Sequence, residues 1–540
     1  GFLAVGLLLS VLFLFGFIIF PIFQVLSVGF GADTLPLYAE ILRQPATREI
    51  ITNTIFVGVS VATIGTLIAF VFAFVQVKLD VPFKRFFHLV TIMPMIAPPF
   101  VMAMSIITLF GRSGIITKRI FGIRYDIYGA EGLILALTIS FAPFAYLNLV
   151  SMMRALDPTL DEAATNLGAT RFKILRSITL PLLLPGFANA FLLLFVSAIA
   201  DLGNPLLLGG SMNVLATSLY LAIVGQFDLN SGAVYAVMLM IPSMAVFFFQ
   251  HYWLSRRSFV TVTGKPAGQP KLITEPKVKW PLFAIHGLFV AFVILLYANI
   301  LLGAFTQVWG INFAFTWDHL NFVLAGYGFE AIWDTIYLAG IATPIAALAG
   351  MLIAFLVVRR QFAGKALVDM ASVLGAAVPG IIIGIGLILS YNIPRFGGLL
   401  PKLTGTAFII IMAFVVRSIP AAVRGGVAAL QQIDASMEEA SFGLGATSMM
   451  TFRKITLALI RPSFFAGLIW SFARSMTSLS PIIFLVTPQW RIMTAQILNE
   501  AESGRFGNAA AYSTVLILIV LLAIGIMQLT VGSTTGAERS

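Results

Sequence analysis

Apolar runs of membrane-spanning length alternate with short polar connections along nearly the whole chain. A helix of about 20 apolar residues matches the hydrocarbon thickness of a bilayer. Such runs lie near 2–28, 53–77, 86–110, 131–153, 183–203 and 232–254, and again near 281–305, 332–358, 366–391, 404–429, 462–487 and 510–531. The pattern predicts an all-α polytopic membrane protein with about twelve transmembrane helices. No charge precedes Asp33, and Phe2 to Val28 is too long for the apolar part of a signal peptide, so it reads as a retained first span.

The segments form two sets of six. Thr54 and Thr335 open corresponding spans, and Pro98 and Pro379 interrupt the next ones, both pairs at one offset of 281. This implies a parallel duplication, with residues 1–255 and 281–540 as the halves and a pathway expected at their interface. The segment 256–280 is rich in Pro, Gly and Lys and reads as a linker without a core of its own. Pro94, Pro98 and Pro99 in one half, and Pro379, Gly380, Gly384 and Gly386 in the other, break corresponding spans. Broken helices mark transport pathways, and small residues also serve close packing; both readings stand here.

Each half carries one polar insert, near 157–181 and 434–458. The first contains EAATNLGATRFKILRSITLP (162–181) and the second EASFGLGATSMMTFRKITLA (439–458), matched at an offset of 277. Asp157 and Asp434 suit helix N-caps, with Pro158 at the first helical position of the first copy and acids in the first turn of both. Gly168 and Gly445 break the helices, and a second short helix follows. One such stretch is an ordinary interfacial helix–turn–helix; two at one offset suggest matched docking points.

Composition narrows the class. The chain is 59% hydrophobic and 10% charged, with mean hydropathy +0.99, which excludes an ordinary soluble domain. The net charge of +11 forms no basic stripe with interleaved aromatics, so no nucleic-acid partner is expected. With no cysteine, thiolate chemistry and Cys-ligated metals are excluded. His88, His251, His286 and His319 lie at span ends without ligand spacing, leaving any metal site unknown. If both chain ends are cytoplasmic, 21 of the 33 Lys and Arg residues fall in cytoplasmic segments, including the linker and both inserts. The 111–129 loop dissents, with Arg112, Lys118, Arg119 and Arg124 outside.

The inserts resemble the EAA loop of ABC importer permeases: Glu-Ala-Ala, three residues, Gly, nine residues, then Ile-x-Leu-Pro. The first copy matches at Glu162, Ala163, Ala164, Gly168, Ile178, Leu180 and Pro181; the second departs at Ser441 and Ala458. The resemblance implies the type I importer permease fold in a bacterial inner membrane, with Glu162, Ala163, Ala164, Gly168, Glu439, Ala440 and Gly445 as ATPase-coupling residues. It also implies a cytoplasmic ABC ATPase dimer holding ATP and Mg, and a periplasmic substrate-binding protein. In agreement, the chain has no phosphate-binding G-x-x-x-x-G-K-[ST] loop; the nearest fragment, around Gly364-Lys365, lacks its first glycine and hydroxyl residue. No catalytic residue and no cofactor bound by this chain are expected.

The fused two-half form, with 197–217 and 125–147, is similar to the ferric-iron permease group and to relatives for 2-aminoethylphosphonate. The resemblance therefore implies Fe(III) as cargo, with the phosphonate or another small solute as the alternative. Asp201, Arg417 and Arg474 are ionisable residues at or within spans. They either line the translocation path or pair and cap locally. A carboxylate suits ferric ion, whereas an arginine suits an anion. An ion-coupled secondary transporter is the different-class alternative, but it is expected to carry more intramembrane acids. A membrane enzyme lacks any supporting constellation.

Overall fold

A computed structural model describes residues 2–254, 272–394, 398, 401–431 and 435–536. Each of the twelve expected segments contains helix. Among the described residues ten helices are long and apolar enough to cross a membrane, and the bent pair Lys365–Ala377 and Gly380–Tyr391 makes an eleventh. The remaining segment holds Leu457–Met476, a helix of 20 residues. It stops short of the predicted 487 because residues 477–492 leave the helix in turns around Pro481 and Pro488.

The duplication extends to helix ends. Pro45–Lys78 and Gly326–Arg359 have the same length, 34 residues. They are related by the 281 offset at both ends, as are Pro99–Phe110 and Gly380–Tyr391. Beyond them the offset becomes 277: Leu180–Ile199 matches Leu457–Met476, and Ala130–Ala155 starts in step with Ala407–Gln431. Pro143 and Pro420 lie inside those last two helices at matched positions. The change of offset arises in one connection, because the loop from Phe110 to Ala130 is longer than its counterpart from Tyr391 to Ala407.

The chain divides into two compact units whose limits differ from the sequence halves. One comprises residues 1–37, 229–237 and 317–540; the other comprises 38–228 and 238–316. The first predicted span therefore belongs with helices of the second half, where the Tyr391 hydroxyl donates to the Gly16 carbonyl at 2.7 Å. Likewise, Pro276–Ala304 belongs with helices of the first half. Its Asn299 amide donates to Ser105 Oγ and Thr108 Oγ1 at 2.9 and 2.8 Å, while Trp309 donates to Asn299 Oδ1 at 3.1 Å.

Each unit repeats one buried lock. Thr54 Oγ1 accepts the Leu215 N–H at 2.8 Å and donates to the Ile50 carbonyl at 2.7 Å. Thr335 Oγ1 does the same for the Met493 N–H at 2.8 Å and the Ala331 carbonyl at 2.6 Å. Each threonine thereby supplies a partner to a buried helix-start N–H that water cannot reach.

The interrupted spans turn at prolines. Pro98 and Pro379 both hold extended backbone and precede Pro99–Phe110 and Gly380–Tyr391. In the second half the two helix pieces bend by 111°. Its glycines are packing residues as well: a Cβ on Gly384 would come within 2.7 Å of the Pro481 carbonyl oxygen, and one on Gly386 within 2.8 Å of that of Pro21. Break and close packing thus coexist there.

Candidate functional site

The first polar insert is built as its sequence predicts. Asp157 Oδ1 accepts the Thr159 N–H at 3.0 Å and caps Pro158–Asn166. Gly168 then takes φ +80°, a left-handed conformation that costs glycine little. The Ala169 N–H closes back onto the Ala164 carbonyl at 3.0 Å, satisfying a terminal helix acceptor. Thr170 caps Arg171–Ile174, a π-turn covers Leu175–Thr179, and the membrane helix Leu180–Ile199 follows. Glu162, Ala163 and Gly168 are exposed and Ala164 is half-buried. Leu167, beside the turning glycine, is 88% exposed, and Phe172 is 70% exposed.

The second insert repeats this turn. Ala435–Gly443 is helical, Gly445 takes φ +84°, and the Ala446 N–H reaches the Ser441 carbonyl at 3.1 Å. A π-turn again follows, at Phe452–Thr456, before Leu457–Met476. Leu444, the counterpart of Leu167, is 89% exposed, and Ala440 and Gly445 are exposed. Asp434 lies outside the described residues, as do the side chains of Glu438 and Glu439. Ser441, one of the two departures from the motif, is buried and hydrogen-bonds Thr451 at 2.9 Å. In the first insert the matching positions are Ala164 and the buried Ile174. Two apolar residues at these positions in one loop are thus two hydroxyl residues in the other, where the hydroxyls satisfy each other.

The first insert is tied to the membrane helices by charge. Lys78, at the end of Pro45–Lys78, meets Asp161 at 2.6 Å with its side chain only 9% exposed. The end of the linker closes over the same place. The Ile273 N–H donates to the Lys78 carbonyl at 2.8 Å, the Asp80 N–H to the Ile273 carbonyl at 3.0 Å, and Arg171 approaches Glu275 at 3.5 Å. Ile273 is buried with Val75, Leu79 and Val81. Residues 272–280 are therefore no plain linker: 272–275 dock, and helix begins at Pro276. Proline and lysine density hid this in the sequence, because one isoleucine carries the contact. A cavity of about 410 Å³ lies between Lys78, Asp161, Phe172, Glu275 and Leu282.

The three membrane-level charges are not one cluster by unit: Asp201 belongs to one compact unit, Arg417 and Arg474 to the other. Asp201 Oδ2 accepts the backbone N–H and the side-chain amide of Asn204, both at 2.9 Å, at the start of Gly203–Leu208. Arg417 donates from Nη1 to the Gly375 and Val378 carbonyls at 2.8 and 3.2 Å. Those carbonyls end Lys365–Ala377 at the break, where a cation complements the helix dipole. Local capping is thus part of what Asp201 and Arg417 do.

Two histidines that looked scattered share one packed region. His286 stacks on Phe72 at 4.3 Å and its Nε2 meets Thr91 Oγ1 at 2.8 Å, while His88 Nδ1 meets the Tyr146 hydroxyl at 2.8 Å. Contacts between segments far apart in the chain left no local signal. Among the described residues no group of three potential ligands could hold a metal.

A family model described as the binding-protein-dependent transport system inner membrane component matches residues 62–260 and 346–531. The ferric transport system permease protein FbpB of Actinobacillus pleuropneumoniae is 35% identical over 98% of this chain and 78% of its own length. A putative ferric transport system permease protein, FbpB 1 of Haemophilus influenzae, is 34% identical over 91% of this chain and 79% of its own. A putative 2-aminoethylphosphonate transport system permease protein, PhnV of Salmonella paratyphi A, is 26% identical over 44% of this chain and 88% of its own. With the motif present twice and both halves matched, the chain belongs to the binding-protein-dependent transport system inner membrane component family, as a fused, multi-pass permease of an ABC importer in the bacterial inner membrane.

Proposed function

We propose that this permease carries ferric iron into the cytoplasm, taking it from a periplasmic binding protein and drawing power from a separate ABC ATPase dimer. One observation carries the coupling: both inserts present the same left-handed glycine turn with an exposed leucine at its tip, Leu167 and Leu444. Exposed leucines at two repeated turns suit two matching hollows on a dimeric partner. Glu162, Ala163, Ala164 and Gly168, with Glu439, Ala440 and Gly445, form the coupling set, and ATP and Mg belong to the partner. Asp201, Arg417 and Arg474 line the cargo route. The cargo assignment draws on two ferric-transport relatives that match nearly the full chain.

Uptake of labelled ferric iron in cells with and without this chain tests the proposal. Loss of uptake on deletion is the expected result. Unchanged iron uptake, with growth on 2-aminoethylphosphonate lost, replaces iron by the phosphonate as cargo.

A further inference from the structure

Helix Pro276–Ala304 is held at its start by the first insert and along its flank by the broken span, all within one compact unit. The start is fixed by the four residues before it. Ile273 bridges the end of Pro45–Lys78 through two backbone hydrogen bonds, to the Lys78 carbonyl at 2.8 Å and from the Asp80 N–H at 3.0 Å, and its side chain is buried among Val75, Leu79 and Val81. Glu275 approaches Arg171 of the insert at 3.5 Å, and Lys78 holds Asp161 of the insert at 2.6 Å. Glu275 is also the N-cap of Pro276–Ala304, so no loop residue separates its ion pair from the helix. At the position of the second insert that matches Arg171 stands Ser448, which cannot form that ion pair.

The flank reaches both sides of the break at Pro98. Before it, His286 Nε2 meets Thr91 Oγ1 at 2.8 Å, and the Tyr297 hydroxyl donates to the Met93 carbonyl at 2.6 Å. After it, Ser105 Oγ donates to the Leu296 carbonyl at 3.0 Å, and the Asn299 amide donates to Ser105 Oγ and Thr108 Oγ1. Within a bilayer no water competes for these buried groups, so the bonds are kept. The helix is unbroken over its 29 residues, about 44 Å. Packed helices and hydrogen-bonded contacts of this kind carry movement between distant sites.

We propose that residues 272–275 are a brace, with Ile273 and Glu275 as positioning residues. The brace makes the first insert and helix Pro276–Ala304 move together, and so carries movement of the insert to the break at Pro98. This rests on the coupling role given to the insert above, and it adds a route by which one insert reaches the membrane helices.

The test uses the full chain, assembled with its ATPase and binding protein in proteoliposomes, and reads labelled ferric iron moved per ATP hydrolysed. Glu275→Arg sets two cations together and should lower that ratio about two- to fivefold, the factor that matches a partly exposed ion pair, while assembly and ATP hydrolysis persist. Adding Arg171→Glu should restore the ratio. Ile273→Ser should lower it too, and Ile273→Val should not. Tyr297→Phe, which removes one bond at the break, should act in the same direction. The decisive variant combines Glu275→Arg with Tyr297→Phe. These positions lie about 30 Å apart along the helix, where independent losses multiply. On one shared route the double variant should lose no more than the worse single. Multiplied losses, unchanged ratios or no rescue by the reversed pair overturn the brace. Hydrogen exchange of the chain without its ATPase is read separately. Glu275→Arg should raise exchange across 158–175, and unchanged exchange there overturns the brace whatever the uptake. Raised exchange in a chain whose unmodified complex shows no ATP-driven iron uptake sinks the coupling or iron reading and leaves the brace standing.

Discussion

Substituting Gly168 separates the shape of the proposed coupling turn from its contacts. The residue holds φ +80°, and a Cβ built there meets nothing within 4 Å. Gly168→Ala therefore adds no clash and costs only backbone strain, about 1–2 kcal/mol for a non-glycine residue in the left-handed region. That strain shifts the ratio of closed to open turns by a factor of roughly 5–30. Asparagine tolerates this conformation better, so Gly168→Asn should recover much of the loss despite its larger side chain. The assay is cargo uptake and cargo-stimulated ATPase activity in proteoliposomes, with hydrogen exchange across 158–175 as the structural readout. Alanine should raise exchange and lower coupled activity, with asparagine falling between alanine and wild type. Equal damage from both, or none from alanine, refutes the claim that the left-handed turn is what matters. Gly445, at φ +84° and equally open, should rank its substitutions in the same order.

Three further outcomes follow from the same geometry. Lys78→Met should strip the half-buried Asp161 of its partner and loosen the helix Pro158–Asn166 by about 1–3 kcal/mol, between exposed and fully buried pairs; adding Asp161→Asn should recover part of it in a double-mutant cycle. Thr54→Val and Thr335→Val each orphan a buried N–H and should lower stability by about 1–3 kcal/mol, read as thermal unfolding in detergent; a variant as stable as wild type contradicts the lock. Thr451→Ile should strand the Ser441 hydroxyl, whereas Ser441→Ala with Thr451→Ile installs the residue types of the first loop and should unfold closer to wild type.

Much of this architecture was legible because its signals are local or periodic. Apolar runs of spanning length marked the helices, and Asp157, Pro158 and Gly168 spelled out cap, first turn and stop. Constant offsets between Thr54 and Thr335, or Gly168 and Gly445, exposed the duplication. What the sequence hid depends on contacts between distant segments. That residues 2–29 belong with the second half, and Pro276–Ala304 with the first, leaves no trace in hydropathy. Docking of Ile273 rests on one residue in a stretch otherwise typed as linker. The pairing of Ser441 with Thr451 gives the departing serine a buried partner, which the motif comparison alone did not show. Arg417 was visible as a charge inside a span, but its capping of Gly375 and Val378 required the break at Pro379 to be seen in space.

Cysteine cross-linking tests the central claim most directly, because the chain contains no native cysteine. Leu167→Cys and Leu444→Cys, at tips 88% and 89% exposed, should each cross-link to the co-expressed ATPase subunit, with a yield that changes on adding ATP. Ile311→Cys, 68% exposed in the hairpin that follows Pro276–Ala304, should give no such product. Cross-linking from Ile311 but from neither leucine would contradict the account.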